Sequence, residues 1–147
     1  MKPVSTILKA KPDNTVHTIG PDDSVLDAIT KMASESVGAL LVCEEGGRIA
    51  GIVTERDYAR KVILMGRSSK DTAVREIMTS QVICVSPAHT NEQCMALMTG
   101  NRLRHLPVID GGRLAGMISI GDLVKDIISE QQFVIDQLQH YIMGDRA

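Results

Sequence analysis

The sequence predicts an α/β (α+β) protein built from two copies of one β-α-β-β-α unit. Three observations carry that prediction. First, Gly46-Gly47-Arg48-Ile49-Ala50-Gly51-Ile52-Val53-Thr54-Glu55-Arg56-Asp57 recurs 65 positions later as Gly111-Gly112-Arg113-Leu114-Ala115-Gly116-Met117-Ile118-Ser119-Ile120-Gly121-Asp122, and an internal repeat outranks every other signal in a sequence. Second, strand-length apolar runs alternate with segments of helical periodicity. Third, each pair of middle runs is joined by a Gly-Gly turn. Upstream, Pro21 matches Pro87 and Met32 matches Met98 at an offset of 66, so the second copy has lost one residue where Glu44-Glu45 faces Asp110 alone. Earlier still, Val4-Ser5-Thr6-Ile7-Leu8 is similar to Val74-Arg75-Glu76-Ile77-Met78.

The elements follow in chain order. Val16–Ile19 and Val82–Val85 read as short strands that stop at Pro21 and Pro87. Ser24-Val25-Leu26-Asp27 and Thr90-Asn91-Glu92-Gln93 fit the capping box that opens a helix. Val25, Ala28, Ile29 and Met32 recur at helical spacing, as do Cys94, Leu97 and Met98. Ala39–Cys43 and Leu106–Ile109 read as buried strands, and the glycine turns return the chain into Ile49–Val53 and Leu114–Ile118. A second helix starts near Glu55 in the first copy and near Gly121 in the second. The first of these stops near Gly66. The second keeps an apolar stripe through Val124, Ile127, Ile128, Gln131, Ile135, Leu138 and Ile142, with no breaker before Gly144. That stripe asks for a partner surface, either the helix's own domain or a second copy of the chain. The predicted boundaries are 1–66 for the first unit, 67–73 for a polar linker, 74–130 for the second unit and 131–147 for a C-terminal helical extension.

Composition narrows the function. The 147 residues carry 16 Lys+Arg against 18 Asp+Glu, are 44% hydrophobic, and hold only Tyr58, Phe133 and Tyr141 as aromatics. Neither a broad basic surface nor a row of stacking rings is present for nucleic acid. No apolar run approaches the ~20 residues of a bilayer span, and no signal core follows Lys2. Three cysteines, an odd number without C-x-x-C, fit a reducing cytoplasm. The four histidines lie far apart and match no metal-ligand pattern.

Thr54-Glu55-Arg56-Asp57 and Ser119-Ile120-Gly121-Asp122 sit where a strand turns into a helix. S/T-x-x-D serves any helix start as a capping box. The same geometry suits a nucleotide: free N–H groups and the helix dipole attract phosphate, the hydroxyl donates to it, and a carboxylate one turn on accepts from a ribose diol. Gly51 and Gly116 would let a ligand come close to the backbone. Both copies keep hydroxyl, carboxylate and glycine at one spacing. Chemistry is the competing reading, with Cys84 or Cys94 as nucleophile and His89 nearby, but neither the thiols nor an acid/base pair repeats.

From Val4 to about Ile128 the chain resembles a tandem pair of cystathionine-β-synthase-type (CBS) domains, a Bateman module. The resemblance rests on Gly51–Asp57, Gly116–Asp122, Arg104-His105-Leu106-Pro107-Val108-Ile109-Asp110 and Glu76-Ile77-Met78-Thr79. It implies a stand-alone, non-catalytic signalling module with a pseudo-two-fold axis, two clefts, and an adenosine derivative as ligand: AMP, ADP, ATP, NAD(H) or S-adenosylmethionine. By the same resemblance, Asp57 and Asp122 match the ribose-holding acids, Thr54 and Ser119 the hydroxyls near phosphate, and Ile52 and Met117 the apolar residues beside adenine. Val37, Gly38 and Ala39, with Leu103, Arg104 and His105, match the segment whose backbone reads the base. One cleft would join Thr54 and Asp57 to Leu103–His105, and the other Ser119 and Asp122 to Val37–Ala39. Arg56 and Arg104 add phosphate-binding charge to the first, where the second has Gly121 and Gly38. The implied partners are the nucleotide, an effector protein, and a second copy of the chain in a homodimer; a pure interaction protein dimerising through the last helix is the alternative.

Overall fold

The computed structural model describes residues 2–143; positions 144–147 of the predicted extension lie outside them. The chain divides into two compact units, one spanning Thr15–Ile83 and the other combining the described residues 2–14 with 84–143.

In the Thr15–Ile83 unit, β1 (Thr18–Ile19) lies parallel to β2 (Ala39–Cys43), which pairs antiparallel with β3 (Ile49–Thr54). Between the first two strands runs a helix, Val25–Glu35, opened by the Ser24 hydroxyl accepting from Asp27 N–H at 3.0 Å. Its Val25, Ala28 and Met32 face Leu40, Val42 and Val53 of the sheet, all buried. The aliphatic, almost aromatic-free core predicted from composition is therefore closed by one helix face against one sheet face.

In the other unit, β4 (His105–Asp110) and β5 (Arg113–Ser119) form a hairpin. Gly111 and Gly112 turn it with φ of 58° and 80°, the pair of positive values that a type I′ turn demands. Both hairpins bulge at matching places, between Val42 and Cys43 and between Val108 and Ile109. We number the helices α1 (Val4–Ala10), α2 (Val25–Glu35), α3 (Glu55–Tyr58), α4 (Asn91–Asn101) and α5 (Ile120–Ile142). A π-helical turn, Ala59–Ile63, continues α3, and a 3-10 turn covers Val74–Glu76.

Three features differ from the sequence reading. Val82–Val85 is not a strand: it contributes one parallel bridge, Val85 to Val108. The chain then leaves the sheet, and the carbonyls of Pro87 and His89 accept from Ser5 and Val4 N–H at 3.0 and 2.7 Å, which satisfies the open end of α1. The polar linker predicted at 67–73 is hydrogen-bonded to the opening of α2. The carbonyls of Ser69 and Thr72 accept from Leu26 and Val25 N–H at 3.0 and 2.9 Å, and Thr72 is buried.

The third difference is an exchange of lead segments. Val74 and Arg75 N–H donate to Asp23 and Pro21 carbonyls, both at 2.9 Å. These are the counterparts of the Val4–His89 and Ser5–Pro87 bonds. The segment that begins each sequence repeat is thus built into the compact unit of the other repeat, and compact units and sequence repeats have different boundaries.

Candidate functional site

Each unit presents one strand-to-helix corner. At the end of β3, Thr54 Oγ1 accepts from Asp57 N–H at 3.1 Å, and Asp57 Oδ2 accepts from Thr54 N–H at 3.0 Å. At the end of β5, Ser119 Oγ accepts from Asp122 N–H at 3.2 Å, and Asp122 Oδ2 accepts from Ser119 N–H at 2.8 Å. Both are complete capping boxes. The acid therefore shapes its own corner before any ligand is considered: its carboxylate is fixed one turn into the helix by the backbone it caps.

The segments preceding the middle strands reach these corners within each unit. Ala39 stands opposite Thr54 in the β2–β3 register, and Glu55 N–H donates to the Gly38 carbonyl at 3.1 Å. His105 stands opposite Ser119, and Ile120 N–H donates to the Arg104 carbonyl at 2.9 Å. Thr54, Asp57, Val37, Gly38 and Ala39 thus belong to one corner, and Ser119, Asp122, Leu103, Arg104 and His105 to the other. Val37 and Leu103 are half-buried, each donating its N–H to a methionine carbonyl, Met32 or Met98, in the last turn of the preceding helix. Arg56 and Arg104 are exposed. Met117 is half-buried, whereas Ile52 is buried and its N–H donates to Thr79 O at 3.0 Å.

The glycines have a different role from the one their position predicts. A Cβ on Gly51 would stand 2.6 Å from Thr79 O, and one on Gly116 2.9 Å from Leu8 Cδ2. The close approach they permit is that of the chain's own exchanged segments, not of a ligand.

Electrostatics separates the corners further. His105 is held below the ordinary imidazole value, chiefly by burial; Asp122 pulls it up, and Lys11 and Arg104 push it down. Two lysines escaped the sequence reading. Lys61 Nζ lies 3.2 Å from Asp57 Oδ1, and Lys11 Nζ 3.0 Å from Asp122 Oδ2. The first was visible as an i,i+4 pair; the second joins residues 111 apart, which no local pattern marks.

Cys94 is buried in α4, and Cys84 is exposed rather than on the core strand its flanks predict. Burial raises the pKa of the Cys94 thiol, and partial desolvation by its neighbours raises that of Cys84, which disfavours the reactive thiolate. His89 Nδ1 accepts from Ser86 N–H at 2.9 Å. Among the described residues no group of three or more His, Cys, Asp or Glu is placed to hold a metal ion, and no helix is long and apolar enough to cross a membrane.

The sequence model of the CBS domain matches residues 4–63 and 74–129. The chain is 43% identical over 148 aligned positions to the CBS domain-containing protein CBSX3, mitochondrial, of Arabidopsis thaliana, covering 96% of this chain and 72% of the plant protein. Among solved structures, a CBS-domain protein of Burkholderia ambifaria MC40-6, named for signal transduction, is 59% identical with a TM-score of 0.85, over 88% of this chain and 96% of that one. The hexameric CBS-CP12 protein of bloom-forming cyanobacteria is 30% identical with a TM-score of 0.73, over 84% of this chain and 70% of its own.

Proposed function

The chain belongs to the CBS-domain family, with two such domains in tandem, and from that premise we propose that it is a non-catalytic regulatory module whose corners bind an adenosine nucleotide. AMP is the first candidate, with ADP, ATP or NAD(H) in the same class. The observation that carries this reading is the duplicated corner: a carboxylate held one turn into a helix, a hydroxyl at the helix opening, and the backbone segment before the middle strand hydrogen-bonded beside it. The acid would accept from the ribose diol and the hydroxyl and first-turn N–H groups would face the phosphate. Ile52 and Met117 would flank the adenine, with Val37–Ala39 and Leu103–His105 along its edge and Arg56 and Arg104 adding charge. Binding signals only if the ligand prefers one of two arrangements of the chain, which an effector protein then reads. The three free thiols agree with a reducing cytoplasm as the compartment.

A homodimer is part of the proposal. Every residue from Gln131 to Met143 is exposed although α5 continues to Ile142, and Ile135 and Leu138 are 47% and 54% accessible. A helical segment of about a dozen residues is marginal in water without a packing partner.

Calorimetry with AMP, ATP, NADH and S-adenosylmethionine tests the ligand class. Asp57→Asn and Asp122→Asn keep an acceptor for the cap while removing the charge. Each is expected to lose about 1.5–3 kcal/mol of binding at its own corner, roughly ten- to a hundredfold in Kd. Unchanged affinity in both variants rejects the site, and S-adenosylmethionine binding in place of the nucleotides establishes the alternative sensor. Turnover of bound nucleotide would make the chain an enzyme.

A further inference from the structure

At each corner a lysine joins the acid to a backbone carbonyl. Lys61 Nζ, beside Asp57, donates to Ile77 O at 2.8 Å; Lys11 Nζ, beside Asp122, donates to Met117 O at 2.8 Å. The arrangement is the same but the residues are not repeat counterparts. At the 65-residue offset, Lys61 corresponds to Asp126, an acid that pairs with Lys2 at 3.5 Å and accepts from Asn91 Nδ2 at 2.8 Å. Duplication therefore did not deliver a lysine to the second corner. Lys11 delivers it from the end of α1, on the exchanged lead segment. Inherited packing does not account for an arrangement assembled twice from unrelated positions; a shared demand at the two corners does.

We propose that Lys11 selects for an anionic ligand at the Ser119–Asp122 corner: it neutralises Asp122 until a ribose diol takes the carboxylate, and it then gives its ammonium to the ligand's phosphate. The inference rests on the adenosine-nucleotide reading and narrows it. An ammonium has three donors, and the bond to Met117 O keeps Lys11 at the corner while its acid partner changes. A phosphate replaces the charge that Lys11 gives up. Adenosine has no phosphate to do so, and S-adenosylmethionine brings a further positive charge to the same place. Either ligand breaks the ion pair without compensation, which is unfavourable at a half-buried position. Lys11 is the C-cap of α1, so the exchange also connects occupancy of this corner to the N-terminal segment.

The test uses the Asp57→Asn protein as parent, so that only the second corner is read, with AMP and adenosine as probes in calorimetry. Adding Lys11→Gln is expected to weaken AMP about tenfold, the scale of one charge-assisted contact, while adenosine binds as well as before or better. Lys11→Arg is expected to restore the preference for AMP. An unchanged AMP-to-adenosine ratio in Lys11→Gln, or an equal loss for both ligands, overturns the inference. In the parent, with Lys11 intact, AMP should shift the side-chain ammonium NMR signal of Lys11 more than adenosine does; a signal unmoved by bound AMP also overturns it, whether or not Lys11→Gln folds. AMP binding by the wild type that vanishes in the parent leaves the nucleotide reading at the Asp57 corner and removes this inference. No binding by the wild type rejects the reading itself.

Discussion

His105 faces Ser119 across the hairpin, and its surroundings hold its imidazole below the ordinary value. Burial keeps its imidazole neutral below the ordinary value of 6.5. In the window beneath 6.5 the unfolded chain binds the proton and the folded chain does not, so stability rises with pH through that window. The contribution is fully present above 6.5 and is lost as pH falls toward the depressed folded value. Urea unfolding at pH 7.5 and 5.5 should therefore show a larger acid loss for the wild type than for His105→Gln. Equal losses would mean that His105 titrates normally in the fold. The acids of the two corners behave differently. Asp57 and Asp122 are capping residues as well as proposed ligand groups, which is why their substitution by Asn rather than Ala separates binding from folding.

Each of the two lead segments packs on one glycine, and the two contacts are not equally forgiving. At Gly51 an added methyl meets the Thr79 carbonyl, a backbone group bridged to Ile52 in both directions at 3.0 and 2.9 Å. At Gly116 it meets the end of the Leu8 side chain, which can turn aside. Gly51→Ala is expected to cost about 1–3 kcal/mol, the usual range for overpacking, and Gly116→Ala clearly less. Chemical denaturation of the two variants decides this, and equal costs would contradict the difference in what lines the two sites. Ala39–Cys43 is the strand that both the sequence and the structure bound alike, because it is a continuous apolar run buried on both faces. Val82–Val85 looks equally strand-like by composition but pairs at Val85 alone, because its neighbours turn away to cap α1.

Among the described residues, exposed apolar groups concentrate just after α3 and along α5. Ile63, Leu64 and Met65 follow α3 at 57–77% accessibility. On α5 the stripe runs through Ile128, Ile135, Leu138 and Ile142. A chain ending at Glu130 removes all of the second patch beyond Ile128 and neither corner. Sedimentation of that truncated chain should show a monomer with nucleotide affinity retained. A dimer that persists would place the interface elsewhere, and lost binding would tie α5 to ligand recognition.

Repetition, period and turn chemistry are local, and from them alone the sequence determined the β-α-β-β-α order of the first copy and the α-β-β-α order of the second, the Gly-Gly hairpins, the caps that open α2 to α5 and the acid at each corner. Each depends on residues within one or two turns of one another, where spacing and geometry coincide. The tertiary structure decided what depends on distant neighbours: the exchange of lead segments, the packing of residues 67–73 against α2, the contacts that require Gly51 and Gly116, and the delivery of Lys11 to Asp122. Those outcomes follow from which backbone donors remained unsatisfied and which surfaces could close over them, and positions more than a hundred residues apart leave no periodic trace of having met.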